Sequence, residues 1–298
     1  NFNYYLKNTI SSGKNNSEYD SSPDVKLMNI FEFVSSFPLI NKNQNFINYL
    51  NPKASFRINP SSMKSYKNEN RRINNENIFD MNRLGLIDTL EAGENLTLGL
   101  EYKKEKIDNI NKYFELKLGT VLRNKSNDNI PSNSTIDKKR SNYFGTITNN
   151  LNDNINLKYE FSINHDLDKI QYNSLGTTFS KNNFVTTFNY IEENGVIGST
   201  NILENITTFS FDEQNYITFK TRNNKEIDLT EYYDLIYEYK NDCLTAGIKY
   251  KKTYYQDRDL RSKEDLMLTI TLFPFSALDQ KVEESAWRGD NAIQNLFK

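Results

Sequence analysis

Few side chains in this sequence have the type and spacing that chemistry requires. His165 is the only histidine, followed directly by Asp166, and Cys243 is the only cysteine. A nucleophilic site needs a base beside its cysteine or serine, and several predicted strands separate His165 from Cys243. A metal site needs several ligands at workable spacing, and the 11 glycines form no phosphate-binding loop. We therefore expect no enzymatic activity, no cofactor and no metal.

The composition favours β-strands and excludes some partners. Lys and Arg number 37 against 39 Asp and Glu, so the net charge of −2 offers no basic field for nucleic acid. Hydrophobic residues make up only 37% of the chain but aromatic residues reach 13%, which suits strands that are apolar on one side only. The absence of any run of about 18 apolar residues excludes a transmembrane helix and leaves a transmembrane barrel open.

The start of the chain and its single cysteine both suggest that a larger protein surrounds it. The sequence begins with Asn1, and its first ten residues lack the pattern of a signal peptide. We therefore expect a fragment or a mature C-terminal portion. One cysteine cannot close a disulfide within the chain, and in an exported protein Cys243 predicts a partner thiol elsewhere.

The clearest secondary-structure pattern lies between Leu229 and Phe275, which predicts three consecutive strands. Successive strand residues face opposite sides of a sheet, and here one side is aromatic or aliphatic while the other is largely charged or polar. Each segment is about as long as a tilted transmembrane strand requires. In the third segment the apolar side consists of Leu266, Leu268, Ile270 and Leu272.

Similar segments recur along the whole chain and give about fourteen strands. Short turns alternate with longer loops. The loop 59–94 is long and charged, and we expect it to be too polar to be buried and to be functional or outside a barrel. A second polar loop follows at 124–141. Pro52 lies within one predicted strand and should mark an edge or a bulge. We predict an all-β fold, an antiparallel transmembrane β-barrel forming the C-terminal part of a larger barrel, over residues 1–275 with a tail at 276–298. A soluble sandwich of two sheets is the alternative.

Two passages resemble the LptD family of lipopolysaccharide-assembly outer-membrane proteins, also called organic solvent tolerance proteins. The first runs from Asn77 to Lys103, and the second contains the turn Asp242–Cys243 between two aromatic-rich strands. The residues that match the family pattern in the first passage are Asn82, Arg83, Gly85, Asp88, Gly93, Asn95, Thr97 and Gly99.

The resemblance implies transport in the outer membrane of a Gram-negative bacterium. Members of the family receive lipopolysaccharide from a periplasmic bridge through an N-terminal β-jelly-roll domain, and no jelly-roll pattern is recognisable in this sequence. They release it into outer-membrane lipid through a lateral opening between the first and last barrel strands, and an LptE-type lipoprotein plugs the lumen. From the balance of charge we expect no nucleic-acid partner.

The resemblance also assigns roles to residues of this chain. It implies a disulfide from Cys243 to the absent N-terminal region, although many members carry two adjacent cysteines where this chain has Cys243 followed by Leu244. The strand with Leu266, Leu268, Ile270 and Leu272 becomes a candidate edge of the lateral gate. Lys158, Lys249 and Lys251 become candidate lumen contacts for phosphate or for the plug, against the plainer interpretation of a solvated interior.

Two other functions remain open at this point. One is a porin or a TonB-dependent-type transporter barrel, which would share the strand pattern. The other is a soluble or surface-exposed β-rich binding protein, and a barrel enzyme is the weakest possibility. Heat-modifiable migration in a detergent gel separates a barrel from a soluble protein, and copurification of a small lipoprotein separates the translocon from a porin.

Overall fold

A computed structural model describes residues 1–15, 21–254 and 262–272 of the chain. Within these residues the fold is all-β, with fifteen strands and one short 3₁₀ helix, Ser132–Ser134. No helix in the described part is long and apolar enough to cross a membrane. The strands are β1 Phe2–Ser11, β2 Asp24–Ser36, β3 Leu39–Lys42, β4 Phe46–Asn59, β5 Gly93–Lys106, β6 Tyr113–Arg123, β7 Tyr143–Asn149, β8 Ile155–Ile163, β9 Ile170–Lys181, β10 Phe184–Glu193, β11 Asn201–Ser210, β12 Asn215–Asn224, β13 Leu229–Lys240, β14 Leu244–Thr253 and β15 Lys263–Leu272.

All fifteen strands belong to one antiparallel sheet in which each long strand pairs with its neighbours in sequence. The prediction of about fourteen strands is confirmed, since the additional strand is the four-residue β3, which pairs with β4 alone. Among the described residues β1 pairs only with β2 and β15 only with β14, so these two strands form the edges of the sheet. The tail predicted at 276–298 lies outside the described residues.

The two faces of the sheet have opposite polarity, as the alternation predicted. On β13 Leu235 is 44% exposed and Tyr237 is 41% exposed, whereas Asp234 and Ile236 between and beside them are each 4% exposed. We call the side of Leu235 the apolar face and the side of Asp234 the polar face. Exposed apolar side chains and buried charged ones are the reverse of a water-soluble sheet and are typical of an outer-membrane β-barrel wall.

Pro52 lies where the missing amide hydrogen is tolerated. The register of β4 passes from Ser36 opposite Lys53 on β2 to Leu39 opposite Leu50 on β3, so Pro52 falls in the gap between these two partners. Its carbonyl still accepts a hydrogen bond from Phe37 N at 3.0 Å. Because proline cannot donate to a ladder, a gap in the pairing is a suitable place for it.

The connections at one end of the sheet are longer than those at the other. The long connections are 60–92, between β4 and β5, and 124–142, between β6 and β7. The opposite end carries the short turns 150–154, 182–183 and 241–243. In outer-membrane barrels long loops lie outside the cell and short turns face the periplasm, which indicates the periplasmic end for the turn containing Cys243.

The expectation that the first long connection is too polar to be buried was wrong. We call 60–92 the inner loop, because it folds back onto the polar face of the sheet, where its contacts extend from Lys7 of β1 to Glu193 of β10. Ile78 and Leu90 of this loop, with Ile130 and Ile136 of the second connection, have no exposed surface. A hydrophobic core therefore lies on the polar face, formed by Met63, Ile73, Ile78, Leu84, Leu86, Ala92, Val121, Ile130, Ile136 and Phe144.

Candidate functional site

Two glycines on the polar face create the surface on which the inner loop packs. Gly99 of β5 and Gly119 of β6 lie directly opposite each other in the register. A Cβ atom on Gly99 would lie 2.6 Å from the ring of Phe79, and one on Gly119 would lie 3.0 Å from Cδ1 of Ile78. Real Cβ atoms essentially never make a contact of 2.6 Å, and 3.0 Å is tighter than nine in ten real Cβ contacts, so the absence of side chains at this pair admits Ile78 and Phe79.

One row of polar side chains crosses four strands next to this surface. Glu32 of β2 is opposite Arg57 of β4, Arg57 is opposite Asn95 of β5, and Asn95 is opposite Arg123 of β6. We call these four residues the charged row. Each is buried, with exposures between 3% and 6%. Side chains opposite each other on neighbouring strands are close enough to interact, and the row is therefore continuous.

The inner loop supplies the ions that complete the charged row. Arg83 donates two hydrogen bonds of 2.6 Å to the carboxylate of Glu91, a bidentate pair, and two longer ones to Asn95 Oδ1 and Thr97 Oγ1. Arg123 also donates to Glu91, through Nη1. Glu91 is thus the carboxylate between two arginines, one from the loop and one from the sheet, and it fixes the end of the loop to the wall.

The other end of the charged row holds the middle of the inner loop. Arg57 Nε donates to Glu32 at 2.7 Å, and its two terminal nitrogens donate to the backbone carbonyls of Asp80 and Phe79. Ser55 Oγ donates a further hydrogen bond of 2.6 Å to Glu32. The buried, ion-paired guanidinium of Arg57 therefore holds the backbone of the loop against the sheet.

The pKa of Glu91 is lowered by the positive charges around it. Burial opposes ionisation of the carboxyl, but the positive charges of Arg83, Arg123 and Arg57, with the hydrogen bonds from Arg83, outweigh that effect and hold its pKa at about 2. Glu91 is therefore ionised across the physiological range, and its charge is part of the folded structure.

The residues that match the family pattern shape and anchor the loop. Asn82 spans a turn, with its amide oxygen accepting from Leu86 N at 3.2 Å and its amide nitrogen donating to Leu86 O at 3.0 Å. Gly85 within this turn has a φ of +62° and Gly93 a φ of +92°, a region that favours glycine. Asp88 accepts a hydrogen bond from Lys64 at 3.0 Å and another from the hydroxyl of Tyr66. All eight predicted positions thus belong to the inner loop or to the strand beneath it.

The three lysines predicted as lumen contacts lie on the polar face but not together. Lys158 of β8 pairs with Glu160 at 2.7 Å and with Glu76 of the inner loop at 3.3 Å. Lys249 of β14 pairs with Asp234 at 2.8 Å. Lys251 Nζ lies 5.1 Å from the centroid of the Tyr232 ring, an arrangement that favours a cation. The role predicted for these lysines stays a prediction.

Cys243 and the candidate gate strand occupy different parts of the sheet. Cys243 lies in the turn between β13 and β14, partly exposed, where its backbone N donates to Asn241 Oδ1 at 3.0 Å. Strand β15 presents its four predicted apolar residues on the apolar face, where they are 63–75% exposed: Leu266, Leu268, Ile270 and Leu272. The disulfide and gate roles of these residues remain predictions.

His165 contacts an arginine and a tyrosine. Arg140 Nη1 lies 2.8 Å from His165 Nε2, and the ring stacks on Tyr143 at 5.7 Å. Among the described residues no group of three or more His, Cys, Asp or Glu side chains is arranged to hold a metal ion.

Sequence reasoning missed Glu32, Arg57, Glu91 and Arg123, which form the charged cluster with Arg83. The signal for three of them was available, because each occupies a polar-face position of its strand, where an ion needs a partner once it is covered. Glu91 carried no such signal, since it lies in a loop without periodicity.

Comparisons with known proteins give one family. The family model "LptD: LPS transport system D" matches residues 1–225. No curated protein matches the chain. Among solved structures, a triple mutant of the Rh. blastica porin aligns with 92% of this chain and 99% of its own, at a TM-score of 0.35 and 8% identity. A quintuple mutant of the same porin aligns over the same shares, at a TM-score of 0.33 and 9% identity.

Proposed function

The chain belongs to the LptD family of lipopolysaccharide transport proteins, and from this premise we propose that it forms the C-terminal part of the barrel that inserts lipopolysaccharide into the outer leaflet. In this proposal the sugars pass through the barrel lumen and the acyl chains leave through a lateral gate. The protein acts in the outer membrane as a transporter and carries out no covalent chemistry.

The observation that carries the proposal is the inverted polarity of the sheet. A lipopolysaccharide molecule has anionic sugars joined to acyl chains, so its path needs a polar surface on one side of a wall and lipid on the other. Leu235 and Phe188 are 44% and 45% exposed on the apolar face, whereas Glu160 and Glu204 are buried on the polar face. A wall of this type can guide the two halves of an amphiphile into different media.

The gate is assigned to β15 because its outer edge has no partner within the described part of the chain. Its inner edge pairs with β14 from Leu244–Leu272 to Thr253–Lys263. A strand with one edge hydrogen-bonded and the other open can pair reversibly with another strand. We propose that the first strand of the complete barrel, upstream of this chain, is that partner.

The plug is assigned to the polar face of the last strands. The contacts of the inner loop extend from β1 to β10, whereas Lys249 and Lys251 lie beyond them on β14. An LptE-type lipoprotein entering the lumen would meet these lysines together with Asp234 and Tyr232. The periplasmic lipopolysaccharide bridge would reach the barrel through the N-terminal domain of the complete protein.

Cys243 supports a connection to that domain. Its turn lies at the end with short connections, which indicates the periplasm, and its side chain is partly exposed. We propose that it forms a disulfide with a cysteine of the N-terminal region. Cys243→Ser in the full-length protein should change the disulfide pattern and lower lipopolysaccharide export. An unchanged pattern together with unchanged export would refute this role.

A complementation experiment tests the main proposal. Cells depleted of their own LptD protein and supplied with the full-length form of this one should display lipopolysaccharide at the surface, measured by modification of lipid A with an outer-membrane enzyme. The purified protein should migrate differently before and after heating and should copurify with a small lipoprotein. A protein that folds as a barrel but restores no surface lipopolysaccharide, and instead admits small sugars into liposomes, would be a porin.

A further inference from the structure

A cavity of about 300 Å³ lies between the inner loop and the wall formed by β7, β8 and β9. The wall contributes two adjacent cross-strand rows, Phe144–Ser162–Tyr172 and Thr146–Glu160, all on the polar face. The loop contributes residues 70–77 and 83–85. The volume is at the lower end of small-molecule sites, about 300–1,000 Å³, so the cavity has room for a single sugar ring rather than a longer glycan.

Arg71 is the cation placed to act on a ligand in this cavity. A Cβ atom on Gly85 would lie 3.6 Å from its Nη1, so the guanidinium lies over the bare backbone of that glycine. Arg71 pairs with Glu69 at 3.1 Å, and the Glu69 side chain is 46% exposed. Surface pairs of this kind contribute little to stability, so Arg71 can exchange Glu69 for an anionic ligand at small cost.

The other two arginines of the cavity are committed to protein partners. Arg83 is fully buried and bound to Glu91. Arg72 pairs with Glu193 and stacks on the Tyr172 ring, 5.0 Å from its centroid. These two residues line the cavity, and Arg71 is the arginine whose protein partner a ligand could replace.

Hydroxyl groups on the opposite wall provide hydrogen bonds suited to a sugar. Thr146 Oγ1 accepts from Asn75 at 3.1 Å, and Ser162 Oγ accepts from Asn142 at 2.8 Å. A hydroxyl that accepts one hydrogen bond can still donate its own hydrogen. Phe144, which is next to Thr146 on the same face of β7 and opposite Ser162 on β8, contributes an apolar ring to the lining. A sugar ring presents the matching combination of hydroxyl oxygens and apolar C–H groups.

We propose that this cavity binds one sugar residue that carries a phosphate, with Arg71 contacting the phosphate and the Thr146 and Ser162 hydroxyls contacting the ring. The inference rests on the proposed function, because a phosphorylated sugar of lipopolysaccharide would be the ligand. It adds a defined site on the outer half of the polar face where the sugars pause during passage.

The test is a binding measurement on the full-length protein with its lipoprotein in detergent, using glucose 1-phosphate, glucose and inorganic phosphate in saturation-transfer NMR titrations. Glucose 1-phosphate should bind at least tenfold more tightly than either of the other two. Arg71→Ala should weaken glucose 1-phosphate about tenfold or more, in line with loss of a hydrogen bond to a charged group, and should leave glucose unchanged. Ser162→Ala should weaken both sugars.

Arg140→Ala is the matched control, because Arg140 is an exposed arginine of the second connection that contacts His165 outside the cavity. It should leave all three titrations unchanged. Inorganic phosphate binding as tightly as glucose 1-phosphate would indicate an adventitious anion only and overturn the proposal, as would an unchanged titration for Arg71→Ala. Arg71→Lys, which keeps the charge, gives a second variant and should bind with intermediate affinity. Surface display of lipopolysaccharide by the wild type is measured separately. If the cavity binds no glucose 1-phosphate while surface display is normal, the sugar site is refuted and the proposed function is not.

Discussion

Substitution of Glu91 by glutamine should release the inner loop from the wall. The change removes the carboxylate that Arg83 and Arg123 share and leaves two guanidinium groups buried without it. The pKa of about 2 lies well below the ordinary value of 4.5, and at about 1.36 kcal/mol per pKa unit this difference corresponds to roughly 3 kcal/mol of stabilisation at neutral pH. Removal of one partner of a buried pair costs about 3–5 kcal/mol, which agrees with this value.

Hydrogen exchange of the inner-loop amides measures this loss directly. A cost of about 3 kcal/mol multiplies the population of the undocked loop by more than about a hundred, so residues 60–92 should exchange correspondingly faster in detergent at pH 7. Glu94→Gln is the matched control, because Glu94 is exposed and lies three residues further on. The double variant Glu91→Gln, Arg123→Gln removes one buried charge of each sign and should recover part of the protection.

The same group predicts the pH range over which the loop stays docked. Because the pKa of Glu91 is lowered in the folded state, its stabilisation is fully present above about 4.5 and is lost as the pH falls through about 2. Pepsin should therefore leave the wild-type loop intact at pH 4 and cleave it on approach to pH 2. In the hydrogen-exchange experiment, equal exchange rates of the inner-loop amides in Glu91→Gln and Glu94→Gln would refute the role of Glu91 in holding the loop.

Three further substitutions test the packing and the polarity of the wall. Gly99→Ala should cost about 1–3 kcal/mol because its methyl group would overlap the ring above it, whereas Gly176→Ala, where a Cβ makes ordinary contacts, should be close to neutral in urea denaturation. Asn82→Ala removes the acceptor of Leu86 N, whereas Leu86 O keeps its hydrogen bond from Lys7, and should cost about 1–3 kcal/mol by the same measurement. Phe188→Arg should impair folding into lipid by about 2–4 kcal/mol, whereas Val185→Arg, of similar exposure on the polar face of the same strand, should cost less than about 1 kcal/mol.

The strands of the sheet were predictable from the sequence because apolar and polar residues alternate along a strand that has one face in each environment. Alternation such as Leu235 against Asp234 defined both faces, and the strands followed almost throughout. The four-residue β3 was missed since it is too short for alternation to show. Residues 37 and 38, the latter Pro38, separate it from β2.

The inner loop could not be predicted in the same way. Its apolar residues, among them Ile78 and Leu90, follow neither a helical nor a strand period, and its many polar residues resemble those of an exposed loop. Burial depends here on partners that are remote in sequence, such as Arg57 and Arg123, and on the glycine pair that admits Phe79. The family pattern identified Arg83 and Asn95 without indicating that they are hydrogen-bonded to each other, and it identified Gly99 without indicating that Phe79 packs on it.

The contacts of the inner loop also bear on the order of assembly. The loop connects β4 to β5, and the glycine pair and the row from Arg57 to Arg123 lie on β4, β5 and β6, its immediate neighbours in the chain. Contacts between segments so near in sequence have a small entropy cost of closure. The loop can therefore neutralise the buried ions of these strands before the barrel wall is complete, and the nascent sheet would enter the membrane with its most highly charged surface already covered.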